Sequence, residues 1–145
     1  MIPVLCATVL LLAGCTDTED RLNASVHGFA DALNRADAPA AAALTTDPAS
    51  ADVLGTLYAN LGKDVRFDVS GVQRNEDAAT FTLAATWKFG PAKATEWTYT
   101  TQGRATADGD DWKIQWDPAS VAPGLDEGPL SFSTLIPQPA ARVLD

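Results

Sequence analysis

Cysteine is scarce in this sequence, and its scarcity limits the chemistry available to the chain. Only Cys6 and Cys15 occur, and Cys6 lies inside an apolar run, residues 4–13, that has the length of a signal-peptide h-region. Removal of that run would leave Cys15 as the single cysteine, which excludes an intramolecular disulfide. A metal site would then need its ligands from elsewhere, and the sequence predicts neither a metal nor another cofactor.

Positive charge and long hydrophobic runs are also in short supply. The 10 Lys and Arg residues face 19 Asp and Glu residues, which gives a formal net charge of -9. Nucleic acids and anionic lipid surfaces attract clusters of basic residues, so we expect no nucleic-acid partner and no electrostatic attachment to a membrane. The run at residues 4–13 is too short to span a bilayer as a helix. A chain of 145 residues, 46% of them hydrophobic, is expected to form one globular domain.

The end of the apolar run indicates a different route to the membrane. Leu12, Ala13 and Gly14 precede Cys15, and this segment resembles a bacterial lipobox, in which the cysteine receives diacylglycerol and becomes the new N-terminus. The resemblance implies that residues 1–14 are a lipoprotein signal peptide and that Cys15 is a lipid anchor. The protein would then be located at the extracytoplasmic face of the cell membrane.

Hydrophobic spacing in the first half of the chain predicts three helices. Between residues 21 and 35 the apolar side chains recur at the spacing of one helical face. Asp37 followed by Pro39 is a start signal for a short Ala-rich helix at residues 40–44. A third helix follows, and Gly62 is expected to end it. The residues expected to be buried on the first and third helices are Leu22, Val26, Phe29, Leu33, Leu54, Leu57, Tyr58 and Leu61.

After residue 62 the apolar spacing changes to strict alternation, which predicts four strands joined by short turns. Gly71 is expected to mark a bulge, and Asp108-Gly109-Asp110 has the composition of a hairpin turn. Helices followed by a meander of antiparallel strands indicate an α+β fold, with three N-terminal helices packed on a curved four-stranded sheet.

The predicted domain covers residues 21–123. Residues 15–20 are polar and are expected to form a short tether to the membrane. Five prolines occur between residues 118 and 139, a density that does not suit a helix or a central strand. Residues 124–145 are therefore expected to form an extended linker whose apolar residues have no partner in the core, namely Leu130, Phe132, Leu135 and Ile136.

The segment that leads out of the last strand resembles a known family. Residues 112–125 combine a Trp-basic-apolar-x-Trp strand with a loop that carries a serine, an apolar residue and a proline. This pattern resembles the end of the MecA-type N-terminal domain of penicillin-binding transpeptidases, a cone-shaped fold similar to nuclear transport factor. Residues 143–145, Val-Leu-Asp, look like the start of the next module of such enzymes, although Ala140 and Ala141 stand where that family has Arg and Gly. The residues that carry the main resemblance are Trp112, Lys113, Ile114, Trp116, Ser120, Pro123 and Leu125.

The resemblance implies a non-catalytic spacer or docking domain that serves peptidoglycan synthesis and the response to β-lactam antibiotics. The partners that it implies are a transpeptidase lobe, in cis or in trans, and peptidoglycan fragments. The chain contains no Ser-x-x-Lys, Ser-x-Asn or Lys-Thr-Gly motif, so by itself it is not expected to be an enzyme. Two alternatives stay open: a stand-alone lipoprotein that binds a small apolar ligand in the cone, and an isomerase-type enzyme of the same fold.

Several side chains qualify as candidate sites, and each has a simpler interpretation. His27, the only histidine, lies at the margin of an apolar helix face and is expected to be partly solvated and not a catalytic base. The four tryptophans suit a sugar-stacking platform, but their alternation with other apolar residues favours the core. The aspartates at residues 108–111 lack the ligand series of a calcium loop. A possible docking face on the polar side of the sheet comprises Arg66, Lys88, Arg104 and Lys113.

Overall fold

The computed structural model describes the backbone of residues 2–130 and the side chains of residues 18–130. The lipobox side chains and residues 131–145 lie outside the described residues, so the expectations for them stay predictions. Short 3-10 turns at Pro91–Lys93 and Leu125–Glu127 accompany the regular elements. The helices are α1 Ile2–Asn34, α2 Ala38–Ala43, α3 Ser50–Leu61 and α4 Pro118–Val121, and the strands are β1 Val65–Asn75, β2 Ala78–Phe89, β3 Thr95–Asp108 and β4 Asp111–Ile114.

The four strands form one antiparallel sheet in the order β1-β2-β3-β4, which confirms the predicted α+β class. In β2 every second residue from Ala79 to Phe89 is buried, as the alternation predicts. The register shifts between Ser70 and Gln73, so the bulge expected at Gly71 is present. On the inner face of the sheet α1 packs against β1 and β4, while α4 packs against β3. The outer face carries the polar side chains of the same strands.

The described chain has four helices where the sequence analysis predicts three. The additional helix, α4, begins at Pro118, at the start of the proline-rich stretch that was not expected to form a helix. Its start follows ordinary capping chemistry, because the Asp117 carboxylate accepts a hydrogen bond from the Ala119 N–H at 3.1 Å and proline occupies the first helical position. The Ser120 hydroxyl donates to the Asp117 carbonyl at 2.7 Å.

The first helix is also longer than expected. Residues 15–20, predicted to form a tether, are part of α1. The apolar stripe of this helix is confirmed, since Leu22, Val26, Phe29 and Leu33 are all buried against the sheet and the other helices. The limits of the signal peptide and the tether are not fixed by the helix and stay predictions.

A backbone contact joins the helical half of the chain to the last strand. The connection between α2 and α3 forms a parallel bridge in which Thr45 lies beside Ile114. The Ile114 N–H donates to the Leu44 carbonyl at 2.7 Å, and the Thr46 N–H donates to the Ile114 carbonyl at 2.9 Å. The buried Thr45 hydroxyl donates to the Ala42 carbonyl at 2.8 Å, which holds this connection in shape. Without this bridge β4 would have backbone partners only on its β3 side.

The packed core continues beyond residue 123, where the sequence analysis places the end of the domain. Leu125 and Leu130 are each only 6% exposed and belong to the same core cluster as the helices and strands. A methyl carbon of Leu130 lies 3.6 Å from the position that a Cβ would take at Gly124. The expectation that Leu130 has no partner in the core is therefore wrong. The chain folds back after α4, so its apolar residues reach surface that the helices leave uncovered.

Gly103 marks a close approach between β3 and an aromatic ring of β2. It pairs directly with Phe81 across the two strands. A Cβ at Gly103 would lie 2.4 Å from the Phe81 Cζ, far inside van der Waals contact. The missing side chain lets the buried Phe81 ring lie over the strand, and the ring covers a backbone that glycine would otherwise leave bare.

We expect Gly103→Ala to lower the free energy of unfolding by about 1–3 kcal/mol, because a packed ring has to move. The loss should be smaller in a Phe81→Leu background, since the leucine leaves space for the new methyl group. Gly55→Ala in α3 is the matched control. Its Cβ meets nothing within 4 Å, and it should stabilise the helix by roughly 0.5–1 kcal/mol. Urea midpoints measure wild type and the variants, with Phe81→Leu alone as the reference for the double variant, and equal midpoints for Gly103→Ala and wild type would contradict the close approach.

Candidate functional site

The interior of the cone is the first place to look for a site, and the side chain of Trp87 occupies its centre. Trp87 is completely buried. Its ring centroid lies 6.0 Å from that of Tyr58 on α3 and 6.1 Å from that of Phe67 on β1, the latter edge to face. These distances are those of aromatic rings in contact. The space between the sheet and the helices is therefore filled by side chains.

A chain of hydrogen bonds connects the polar atoms of this interior. The Trp87 Nε1–H donates to the Tyr99 hydroxyl at 3.0 Å, and the Tyr99 hydroxyl donates to the Val121 carbonyl of α4. The neighbouring Thr101 hydroxyl donates to the Ser120 carbonyl. On the opposite side, the Tyr58 hydroxyl donates to the Leu33 carbonyl at 2.7 Å. Through these bonds α4 is fixed over β3, where it closes one side of the cone.

The two tyrosines are held in their neutral form. Burial raises the pKa of Tyr99 well above its ordinary value, and the hydrogen bond from Trp87 opposes that shift by a smaller amount. Burial also raises the pKa of Tyr58, and the nearby Tyr99 adds to the increase. Neither phenol can act as a base near neutral pH, because each keeps its proton far above that range.

The described interior offers no acid–base pair. His27 is exposed, as expected for a histidine at the edge of the helix face, and so are Asp64, Asp68, Glu96 and Asp117. The buried polar residues among residues 18–130 are Thr45, Ser50 and Ser120, and each hydroxyl donates to a backbone carbonyl. In the same range no cluster of three His, Cys, Asp or Glu residues could hold a metal ion.

The residues that carry the sequence resemblance connect elements of the fold to one another. Trp112 and Ile114 are buried on the inner face of β4. The Lys113 ammonium donates a hydrogen bond of 3.0 Å to the carbonyl of Ala43. Ala43 is the last residue of α2, and a cation is favourable at the C-terminal end of a helix. Trp116 is half-buried, Pro123 is exposed, and Ser120 and Leu125 are buried.

The tryptophans divide into two pairs. Trp87 and Trp112 are buried, in agreement with the expectation that alternation places them in the core. Trp97 and Trp116 are only half-buried and pack against the margin of the core. Trp97 lies against Tyr99, with ring centroids 4.6 Å apart. Trp116 lies after the end of β4 and borders a cleft.

The four cations proposed as a docking face share the outer side of the sheet but do not form one cluster. Arg66 pairs with Asp68 at 3.2 Å, and Lys88 lies opposite Glu96. Arg104 lies opposite Thr80. Lys88 and Thr80 are eight positions apart on β2, which corresponds to about 26 Å along an extended strand. Arg66 and Lys88 therefore lie at one end of the face and Arg104 at the other. The Lys113 ammonium is hydrogen-bonded to the last residue of α2.

Sequence reasoning missed the role of Tyr99 as the link between the sheet and α4. Tyr99 belongs to the correctly predicted inward side of β3, but its hydrogen-bond partner lies 22 positions away, in a segment whose proline density argued against a helix. The available signal was the Asp117-Pro118 pair, a cap residue followed by proline of the kind already recognised at Asp37.

Several solved structures share the fold of this chain. A putative dehydratase of the NTF2-like family from Streptomyces avermitilis has a TM-score of 0.51 at 15% identity, over 68% of this chain and 91% of that one. An NTF2-like protein with a cystatin-like fold from Novosphingobium aromaticivorans has a TM-score of 0.50 at 13% identity, over 86% and 96%. A Mycobacterium tuberculosis protein of unknown function gives 0.50 at 17% identity, over 77% and 71%. Identities this low establish the fold alone.

The sequence match is more specific than the fold. Residues 23–129 match the NTF2-like N-terminal transpeptidase domain, MecA_N, and the chain belongs to this family. The match confirms the resemblance predicted from residues 112–125, and it extends to the segment that contains the buried Leu125. No curated protein matches the chain. Within the described residues no helix is both long enough and apolar enough to cross a membrane.

Tyr99→Phe should lower the free energy of unfolding by about 1–3 kcal/mol, because it leaves the Trp87 N–H and the Val121 carbonyl without their partner. Thr100→Val is the matched control, since the neighbouring Thr100 is exposed on the outer face and its replacement should change stability by less than about 0.5 kcal/mol. Urea denaturation followed by tryptophan fluorescence measures both. An unchanged midpoint for Tyr99→Phe would show that the hydrogen-bond chain contributes nothing.

We expect stability to fall above about pH 10, the pKa of a tyrosine in the unfolded chain. Both folded-state pKa values are raised, so the unfolded state ionises first. The stabilisation is complete below that pH and is lost above it, at up to about 1.4 kcal/mol per pH unit for each tyrosine. The chain contains only these 2 tyrosines, and the Tyr58→Phe, Tyr99→Phe double variant keeps every other titratable group. A double variant with the same alkaline slope as wild type would refute the assignment.

Proposed function

We propose that this chain is the membrane-anchored, non-catalytic N-terminal domain of a penicillin-binding transpeptidase. It acts as a spacer and docking domain in peptidoglycan synthesis and in the response to β-lactam antibiotics. Membership of the MecA_N family supports the class of parent enzyme. A catalytic lobe of that enzyme, in cis or in trans, is the expected partner.

The observation that carries the proposal is the filled interior. Trp87, Phe81 and Leu83 are buried to 1% exposure or less in the space that a substrate or an apolar ligand would need. The polar atoms around them are already satisfied by Tyr99 and the Val121 carbonyl. An isomerase or an apolar-ligand carrier of this fold would need room in the cone and, for the isomerase, a base that faces it. Both alternatives have less support than a domain that acts through its surface.

The anchor in this proposal is Cys15, whose backbone belongs to α1. Cys15 precedes Leu22, the first buried residue among the described side chains of the helix, by seven positions. Seven helical residues span about 10 Å, so a lipid on Cys15 would hold the domain close to the bilayer. The tether would then act as a rigid extension of the domain, which suits a spacer.

The outer face of the sheet is the docking surface in this proposal. Its centre is a flat ladder of threonines on β2 and β3, in which Thr86 faces Thr98 directly. The cations stand at its two ends, with Arg66 and Lys88 at one and Arg104 at the other. A partner surface that carries acidic groups about 26 Å apart would match these ends.

The test of the proposal is the fate of Cys15 in a bacterial host that processes lipoproteins. The wild-type chain should be found in the membrane fraction with an acylated N-terminal cysteine. Cys15→Ala should accumulate as unprocessed precursor, because the acceptor thiol is gone, and globomycin should have the same effect on the wild type. Cys6→Ala is the matched control and should be processed normally.

Intact-mass spectrometry decides the outcome, and a mature chain with a free thiol and no acyl mass would refute the anchor. Fluorescent penicillin added to the same membranes should leave the chain unlabelled after denaturing electrophoresis, since no Ser-x-x-Lys motif is present. A covalent label on the chain would refute its non-catalytic role.

A further inference from the structure

A polar cleft lies where the chain departs from β4. It is lined by residues 102–104 of β3, by residues 115–117 and by Ser120 of α4. The cleft forms because β4 ends at Ile114 while β3 continues, and the last contact between them is the hydrogen bond from the Gln115 N–H to the Arg104 carbonyl at 2.8 Å. Its volume of about 330 Å³ falls at the lower end of the range for small-molecule sites.

Three polar side chains of this cleft have no partner among the side chains and backbone that the structure describes. The side chains of Gln102, Arg104 and Gln115 form no hydrogen bond or ion pair with any of residues 18–130. Gln102 and Arg104 stand two positions apart on β3 and so project on the same side of the sheet. Each glutamine offers a carbonyl acceptor and an NH₂ donor, and the arginine offers a fork of donors. A ligand with groups that both donate and accept would match this set.

The charge of the cleft limits what that ligand can be. Arg104 is its cation and Asp117 its carboxylate, so the two charges offset each other. The Asp117 carboxylate caps α4 through the Ala119 N–H at 3.1 Å and stays exposed. A phosphate-rich ligand would find one cation, and the whole chain carries a formal net charge of -9. An uncharged or singly charged ligand is favoured.

The aromatic part of the lining is Trp116, one of the two half-buried tryptophans. Its backbone N–H donates to the Thr46 hydroxyl at 3.0 Å, which fixes the residue to the connection between α2 and α3. An indole that borders the same cleft as amides without protein partners puts apolar surface near hydrogen-bonding groups. A pyranose ring has the matching pattern, with C–H groups on its faces and hydroxyl or acetamido groups around its rim.

We propose that this cleft binds a short saccharide, with Trp116 against a sugar face and Gln102, Gln115 and Arg104 hydrogen-bonded to its rim. The identification of that saccharide as wall glycan rests on the proposed function, whereas the recognition chemistry does not. Arg104 can pair with one sugar carboxylate. The negative charge of Asp117 keeps the cleft from binding anions in general.

The test is a titration of the ¹⁵N-labelled full chain with N,N′-diacetylchitobiose, followed by amide chemical shifts. Shifts should be confined to residues 102–104, 115–117 and 120, and they should saturate with a dissociation constant on the order of 1 mM, as for a small, open site. The Gln102→Ala, Gln115→Ala double variant should bind at least about ten-fold more weakly, because each alanine removes a donor and an acceptor.

Trp116→Phe tests the aromatic contact, since phenylalanine keeps a ring that can pack against the core. It should weaken binding while the rest of the spectrum stays unchanged. Gln73→Ala is the matched control, an exposed glutamine on β1 away from the cleft, and it should bind as wild type does. The proposal is overturned if the sugar shifts no cleft amide, if the shifts are spread over the outer sheet face, or if the double variant binds unchanged. Stronger binding of trialanine than of the sugar would also overturn it.

The two proposals fail separately. Lipidation of Cys15 is read in cells by mass, and saccharide binding is read on the purified chain by chemical shift. A lipidated chain whose cleft ignores the sugar refutes the cleft alone. A chain that binds the sugar but is never processed refutes the anchor and leaves the recognition chemistry in place.

Discussion

The burial of one indole ring, that of Trp87, is the constraint on which the rest of the structure depends. The ring is in contact with Tyr58 of α3 and Phe67 of β1, and its N–H needs a partner in a place that water does not reach. The Tyr99 hydroxyl of β3 accepts this hydrogen bond. The same hydroxyl donates a second hydrogen bond to the Val121 carbonyl of α4. Two helices and three strands thus meet at one side chain. The interior is full because this arrangement requires it to be.

Local patterns predicted the parts of this fold that local interactions decide. The stripe of α1 and the alternation of β2 needed only the periods of helix and strand. The helix α4 was missed because proline density was given more weight than the Asp117 cap, and because its docking depends on hydroxyls of Tyr99 and Thr101 far away in the sequence. The burial of Leu130 likewise results from a fold-back that no periodicity records.

The same distinction applies to the candidate sites. The alternation of the strands correctly predicted that the cations share one face of the sheet. The distance between them depends on how the strands pair, and this register could not be predicted from the sequence. Trp116 has the same sequence pattern as Trp112 and a different environment, since β4 ends between them. The cleft beside Trp116 exists because two neighbouring strands differ in length. The sequence shows a tryptophan next to a glutamine. That these residues line a cleft is visible only in the three-dimensional structure.

The parallel bridge between Thr45 and Ile114 has a consequence for the order in which the chain folds. A contact between segments about 70 positions apart carries a large loop-closure entropy, so it forms after the local helices and the β1–β3 meander. During synthesis, α2 and the connection after it cannot make this contact until residue 114 has emerged. Until then the buried faces of α1 and β3 are exposed to whatever surrounds the chain. We therefore expect β4 to join the domain late in folding, and we expect the apolar faces that it covers to be open to aggregation and proteolysis until then.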